Sequence, residues 1–101
     1  MTDDSTLGPD VIETEGLSDW QWRDEALHAR FATGDFATGL RLVNLVGESA
    51  EAMNHHPDVD LRYPHVDVTI SSHDAGGVTE RDVRLARTIS EHAAGEGVTS
   101  A

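Results

Sequence analysis

Along this chain the spacing of apolar residues switches between steps of two and steps of three or four, and each switch predicts a change of element. From Trp20 to Phe31, two apolar and aromatic arms flank the polar pair Asp24-Glu25. That layout predicts a β-hairpin with Trp20 and Trp22 on one arm and Leu27 to Phe31 on the other. Gly34-Asp35 then interrupts the pattern and offers a helix N-cap. Beyond it Phe36, Leu40, Val43, Val46, Ala50 and Met53 recur at steps of three and four, the signature of a long amphipathic helix. Pro57 disfavours helical geometry at His56 and has no backbone N–H to donate, so this helix ends with His55 and His56 at its C-terminus.

In the second half, Asp60 to Tyr63 reads as a short strand and Pro64-His65 as a tight connection. Val66, Val68 and Ile70 then alternate with Asp67, Thr69 and Ser71, as a half-buried strand requires. His73 to Gly77 is a loop. Thr79-Glu80-Arg81-Asp82 has the spacing of a capping box and opens a second helix through Val83, Ala86, Ile89 and Ala93. Residues 1–16 mix Asp, Glu, Thr, Gly and Pro and read as a flexible acidic tail, residues 17–95 as the folded domain, and residues 96–101 as a fraying C-terminal tail. The order β-β-α-β-β-α, with hairpins that pair antiparallel, predicts an α+β fold: a four-stranded antiparallel sheet covered on one face by helices. Such a sheet keeps an open face and two edges, so self-association is expected.

Composition narrows the function. A chain of 101 residues is one domain with one core. It has no cysteine, which removes disulfides, thiolate metal sites and thiol nucleophiles. Its net charge is −12, with arginine as the only strongly basic residue type. Nucleic-acid binding draws on a cationic face, so no nucleic-acid partner is expected. The acidic N-terminus does not resemble a secretory leader, and no apolar run approaches the roughly 20 residues that span a bilayer. No membrane partner and a cytoplasmic location are the expectations. The acid excess bears on solubility or a high-salt setting rather than on chemistry.

The chemistry gathers in Glu51-Ala52-Met53-Asn54-His55-His56-Pro57 and in Ser71-Ser72-His73-Asp74. If the helix end faces the strand end, three imidazoles able to give or take a proton near neutral pH share one pocket. Glu51, one helical turn before His55, is placed to orient it. A His-His pair alone is more often decoration of a helix end, so the weight lies on the combination with His73. A zinc site from His55, His56, His65 and His73 is the competing use of these rings. Adjacent histidines diverge at a helix end and no carboxylate has the usual helical metal spacing, which argues against it. His28, His65 and His92 read as surface residues, Trp22 as core, Tyr63 as packing on a sheet face, and Asp82 as a helix cap beside an exposed Arg81.

Together, Glu51-x3-His55-His56-Pro57, Tyr63, His73 and Thr79-Glu80-Arg81-Asp82 resemble the pterin-4a-carbinolamine dehydratase family, from Trp20 to about His92. The resemblance implies a pterin substrate and loss of water from 4a-hydroxytetrahydropterin to give the quinonoid dihydropterin. It also implies no cofactor and no metal, a homodimer or homotetramer, and a functional link to an aromatic amino acid hydroxylase in tetrahydrobiopterin recycling. His55, His56 and His73 match the family's three active-site histidines and share the acid, base and orienting roles. Asn54 and Asp74 flank them where family members often carry Asp and Glu. Ser71 and Ser72 fall where the strand lines the family's pterin pocket, and Trp20 matches a tryptophan that walls the flat ring. The fold also serves some members as a non-catalytic dimerisation or assembly module, which is the alternative reading.

Overall fold

The computed structural model describes residues 5–101; residues 1–4 of the expected tail lie outside them. The first hairpin joins β1 (Gln21–Arg23) to β2 (Ala26–Ala32) through Asp24 and Glu25, whose φ angles are 52° and 60°. Two consecutive positive φ values define the turn whose twist matches that of paired strands. Helix α2 (Phe36–Met53) starts where expected: the Asp35 carboxylate accepts the Thr38 backbone N–H at 2.8 Å.

Strand β3 is Asp58–Leu61 rather than the expected Asp60 to Tyr63. It begins directly after Pro57, and the Arg62 N–H donates to the His65 carbonyl at 2.9 Å. Tyr63 and Pro64 thus form the tip of the turn, and Tyr63 is 67% exposed rather than packed on the sheet. Strand β4 (His65–Ile70) alternates as the sequence predicts, with Val66, Val68 and Ile70 buried.

All pairings are antiparallel, in the order β1-β2-β4-β3. The expected four strands gain a fifth, β5 (Thr99–Ser100), which pairs with Phe31 and Ala32 of β2. The segment read as a fraying C-terminal tail thus extends the sheet. Leu27, Phe31, Val66, Val68 and Ile70 point to the helix side and are fully buried. The opposite face carries His28, Arg30, Asp67 and Thr69, where Arg30 makes a two-pronged bond to Asp67 across the strands, at 2.7 and 3.0 Å.

Helix α2 buries Val46 and Ala50 of the predicted stripe together with Gly39 and Leu42, and Val43 and Met53 pack partly buried against the core, whereas Phe36 and Leu40 in the first turns are 47% and 45% exposed. A Cβ on Gly39 would lie 2.7 Å from a Leu61 methyl, so the absence of a side chain here lets the helix approach β3 closely. In these first turns the face of Gly39 and Leu42, rather than that of Phe36 and Leu40, is the buried one. Helix α3 (Glu80–Gly95) buries Val83, Leu85, Ala86, Ile89 and Ala93. Arg41 bonds Glu96 and Ser49 bonds His92, so α2 and α3 lie side by side in opposite directions. The C-terminus of α2 therefore meets the N-terminus of α3.

Residues 5–16 are not detached from this core. A short helix α1 (Val11–Thr14) buries Val11, the Leu7 N–H bonds the Val78 carbonyl at 2.7 Å, and the Trp22 indole donates to the Leu7 carbonyl at 3.1 Å. Composition places this stretch in a tail because its apolar residues are too few and too scattered to show a period. Among the described residues, no helix is long and apolar enough to cross a membrane.

Candidate active site

The end of α2 is shaped by Asn54, which takes the left-handed conformation (φ 50°, ψ 44°) that asparagine tolerates better than most residues. The Asn54 N–H bonds the Glu51 carbonyl and the His55 N–H bonds the Ala50 carbonyl, a Schellman closure that turns the chain sharply. The turn sends His55 inward and leaves His56 outside: their side chains are 10% and 55% exposed.

His55 meets Asp82, with Nε2 2.6 Å from Oδ1. Asp82 is fully buried and its other oxygen accepts from the Ser72 hydroxyl at 2.7 Å and the Thr79 backbone N–H at 2.8 Å. The Thr79 N–H bond is the capping interaction read from the sequence. The same carboxylate also joins three elements, the end of α2, the end of β4 and the start of α3. A buried carboxylate needs such donors, because an ionised group taken from water without them is very costly. A carboxylate oxygen accepts, so the bond to Asp82 is made by the Nε2–H of His55. Among the described residues, Nδ1 makes no hydrogen bond.

His56 has its own carboxylate, Glu51, close to Nε2, but this pair is open to solvent, with Glu51 78% exposed. Glu51 thus orients His56 rather than His55: the reversal at Asn54 swings His55 away from the helix flank where Glu51 projects. His73 follows Ser72 directly, exposed on a loop closed by the Ser72 N–H to Gly77 carbonyl bond at 2.9 Å. Asp74 beside it accepts from Arg81 at 2.8 Å. Hydrogen bonding to Arg81 is the largest cause holding Asp74 below the usual carboxylate range, partly opposed by desolvation and helped by the Arg81 charge.

The structure therefore brings His55, His56 and Glu51 together at one helix end. The bond from Ser72 to Asp82 ties the His73–Asp74 loop to the same place. Two expected pocket residues are elsewhere. Trp20 is 3% exposed, packs edge-on against Phe31 with ring centroids 6.0 Å apart, and donates its indole N–H to Ser90 at 3.0 Å. No face of the ring is free to wall a substrate. The apolar environment between sheet and α3 holds it, while Trp22 is only partly buried. Ser72 is 1% exposed and its hydroxyl is committed to Asp82 and Thr79, so it supports the site from within. Ser71 is half-buried at the end of β4.

Asp82 is the residue that sequence reasoning placed in too small a role. Its spacing from Thr79 was visible, but its second partner comes from α2, and only packing supplies that. The histidines outside the site are also better engaged than surface residues. His28 Nε2 lies 3.0 Å from the Arg23 carbonyl and Nδ1 3.3 Å from Thr69, and His92 Nε2 lies 2.7 Å from the Ser49 hydroxyl. Among the described residues, no group of three or more His, Cys, Asp or Glu side chains is placed to hold a metal ion.

The site is thus the end of a small α+β domain where His55 is held by the buried carboxylate of Asp82, with His56 beside it in sequence and His73 on the loop that Ser72 ties to the same carboxylate. The chain belongs to the Pterin 4 alpha carbinolamine dehydratase family, whose pattern it matches over residues 6–92. A protein of Aquifex aeolicus named, as a provisional assignment, pterin-4-alpha-carbinolamine dehydratase is 38% identical over 79 residues, 78% of this chain and 80% of that one. Among solved structures, one described as the transcriptional coactivator/pterin dehydratase of Brucella melitensis superposes with a TM-score of 0.81 at 32% identity, covering 88% of this chain and 99% of that one. A pterin dehydratase-like protein described as a RuBisCO assembly factor in the alpha-carboxysome shares the fold, with a TM-score of 0.61 at 20% identity, over 73% of this chain and 86% of that one.

Proposed function

We propose that this protein is a dehydratase that converts 4a-hydroxytetrahydropterin to quinonoid dihydropterin and water. The observation that carries the reading is the His55–Asp82 pair at the meeting point of α2, β4 and α3, in a chain of this family. The reaction breaks the C4a–O bond and removes the proton on N5; the N5 electrons form the C4a=N5 bond, and the departing hydroxide takes a proton to become water. It needs one base and one acid on either side of the ring. His55 Nδ1 acts as the base, since Asp82 keeps the proton of this ring on Nε2 and lies beside the positive charge that forms. His56 or His73 supplies the proton to the leaving oxygen. Asn54, Ser71 and Asp74, close to these histidines in sequence, offer polar groups to the amide edge of the pterin.

The test generates the 4a-carbinolamine with an aromatic amino acid hydroxylase and follows its dehydration. Acceleration over the uncatalysed rate is expected, and a His55→Ala, His73→Ala variant should lose about 10²-fold or more of it, the usual scale for positioned acid–base groups. No acceleration by the wild type, or full activity in the double variant, refutes the proposal.

A second role as a dimerisation or assembly module is supported by Phe36 and Leu40, which are 47% and 45% exposed on one face of α2. A homodimer or homotetramer that dissociates on Phe36→Ser, Leu40→Ser substitution would carry it. Unchanged assembly in light scattering would remove it.

A further inference from the structure

Beside the histidines, a groove of about 440 Å³ runs between α2 and α3, lined by Ser49, Ala52 and Met53 on one side and by Arg84, Arg87, Thr88 and Glu91 on the other. Its walls belong to the two helices whose facing ends carry the candidate site. Met53 lies two residues before His55, and Arg84 lies one turn after Arg81, whose guanidinium bonds Asp74 beside His73. In a chain of net charge −12, nearly every cation is engaged: Arg30 with Asp67, Arg41 with Glu96, Arg62 with Asp60, Arg81 with Asp74 and Arg87 with Glu15. Arg23 bonds the Gln21 side chain. Among the described residues, the Arg84 guanidinium has no hydrogen bond and no ion pair.

Resting on the dehydratase reading, we propose that this groove is a subsite for the C6 substituent of the pterin and that Arg84 selects substituents carrying an anion, a phosphate ester or a carboxylate. C6 is the carbon bonded to N5, so a substrate with N5 at the histidines projects its substituent from the edge of the site. Arg84 presents a planar fork of donors suited to phosphate or carboxylate oxygens, whereas the Thr88 hydroxyl donates to the Arg84 carbonyl and the Ser49 hydroxyl bonds His92, so the guanidinium is the group that recognises the anion. Glu91 sets the limit. It stands seven residues beyond Arg84, about 10 Å along the helix, and repels an anion carried further down. The subsite thus fits a short anionic substituent and not a long polyanionic one.

The experiment compares the 4a-carbinolamine of a 6-methyl pterin with that of a pterin bearing a phosphorylated C6 side chain, using wild type and Arg84→Glu at low ionic strength. The exposed Arg84 can be replaced without opening the core. KM for the phosphorylated substrate should rise about tenfold in the variant, the size of one lost charge pair plus a new repulsion, while kcat and the 6-methyl substrate are unchanged. The difference should shrink as salt is added, since exposed charges are screened. Equal effects on both substrates, or none on either, overturn the proposal. Calorimetric binding of the corresponding tetrahydropterins separates it from the dehydratase reading. Arg84-dependent binding of the phosphorylated pterin without turnover keeps the subsite and removes the reaction, whereas turnover without Arg84-dependent discrimination keeps the reaction and removes the subsite. Absence of binding by either pterin removes both.

Discussion

His55 and His56 are consecutive residues of the same type, leave the same helix end, and each meets a carboxylate, yet they occupy two different chemical settings. His55 is 10% exposed and bonded to an Asp82 that is fully buried and shared with Ser72 and Thr79. His56 and Glu51 stand in water, 55% and 78% exposed. In the first setting the ring's orientation and tautomer are set by the fold, because no water competes for the carboxylate. In the second the pair forms and breaks at little cost, since exposed ion pairs contribute about 0–1 kcal/mol. The left-handed turn at Asn54 creates this difference between neighbours, and burial turns one pair into architecture while the other stays adjustable.

The sharpest way to break that comparison is to neutralise each carboxylate in turn. In Asp82→Asn the amide oxygen can still accept from Thr79, but its NH2 then faces His55 Nε2 and forces the opposite tautomer, so Nδ1 becomes a donor instead of a base. Dehydration should fall by about 10²-fold or more, with an altered pH–rate profile. Asp82→Ala should also cost about 3–5 kcal/mol of stability by leaving buried donors unpaired. Glu51→Gln makes the same chemical change at the exposed pair and should cost less than about 1 kcal/mol and less than about tenfold in rate. Similar losses in Asp82→Asn and Glu51→Gln, by coupled assay and urea titration, would show that burial is not what separates the two histidines.

The loop of His73 offers a gentler contrast, because its anchor is an exposed pair with a perturbed acid. Asp74 is held below the usual carboxylate range by Arg81, so its ionised form is favoured in the folded state. Its contribution to stability is complete above the ordinary aspartate value of about 3.9 and is lost as pH falls through its lower, folded-state value. Asp67 with Arg30, and Asp35 with Thr38, behave the same way. Asp74→Asn should therefore lose less stability than the wild type between pH 4 and the acid limb, and match its pH dependence from pH 5 to 8. Identical acid limbs in the urea midpoint against pH would refute this.

How far the sequence foretells these regions depends on what each one rests on. Local signals were sufficient for the Asp35 cap, the stop at Pro57 and the alternation of Val66, Val68 and Ile70, since each acts within a few residues. Packing decided the rest. Gly39 lies against Leu61 of β3 because it lacks a side chain, and in the same turns Phe36 and Leu40, residues whose spacing marked them as core, are exposed. Trp20 is buried and Trp22 only partly so, though both stand on the same arm of the hairpin pattern. Leu7 and β5 join the domain through partners far away in sequence, Val78 and β2, which no local period reveals. At the site the histidines were legible by motif, whereas the double service of Asp82 required knowing that α3 starts where α2 ends.

The smallest expected effect tests whether the site is governed by the buried carboxylate or by its loop. Asp24 and Glu25 both hold positive φ, which glycine adopts freely and glutamate does not. Glu25→Gly should stabilise the protein by about 0.5–1 kcal/mol if relief of that strain exceeds the added freedom of the unfolded chain. A Cβ on Gly77 would lie 3.2 Å from the Glu25 carboxylate, so this side chain also packs against the loop that carries His73. The substitution thus loosens one flank of the loop without touching Asp82, His55 or Ser72. With the buried carboxylate in control, the urea midpoint rises with an unchanged slope and the dehydration rate stays within about twofold. A rate loss approaching that of Asp82→Asn would shift the weight to the loop, and with it the explanation of why two neighbouring histidines differ.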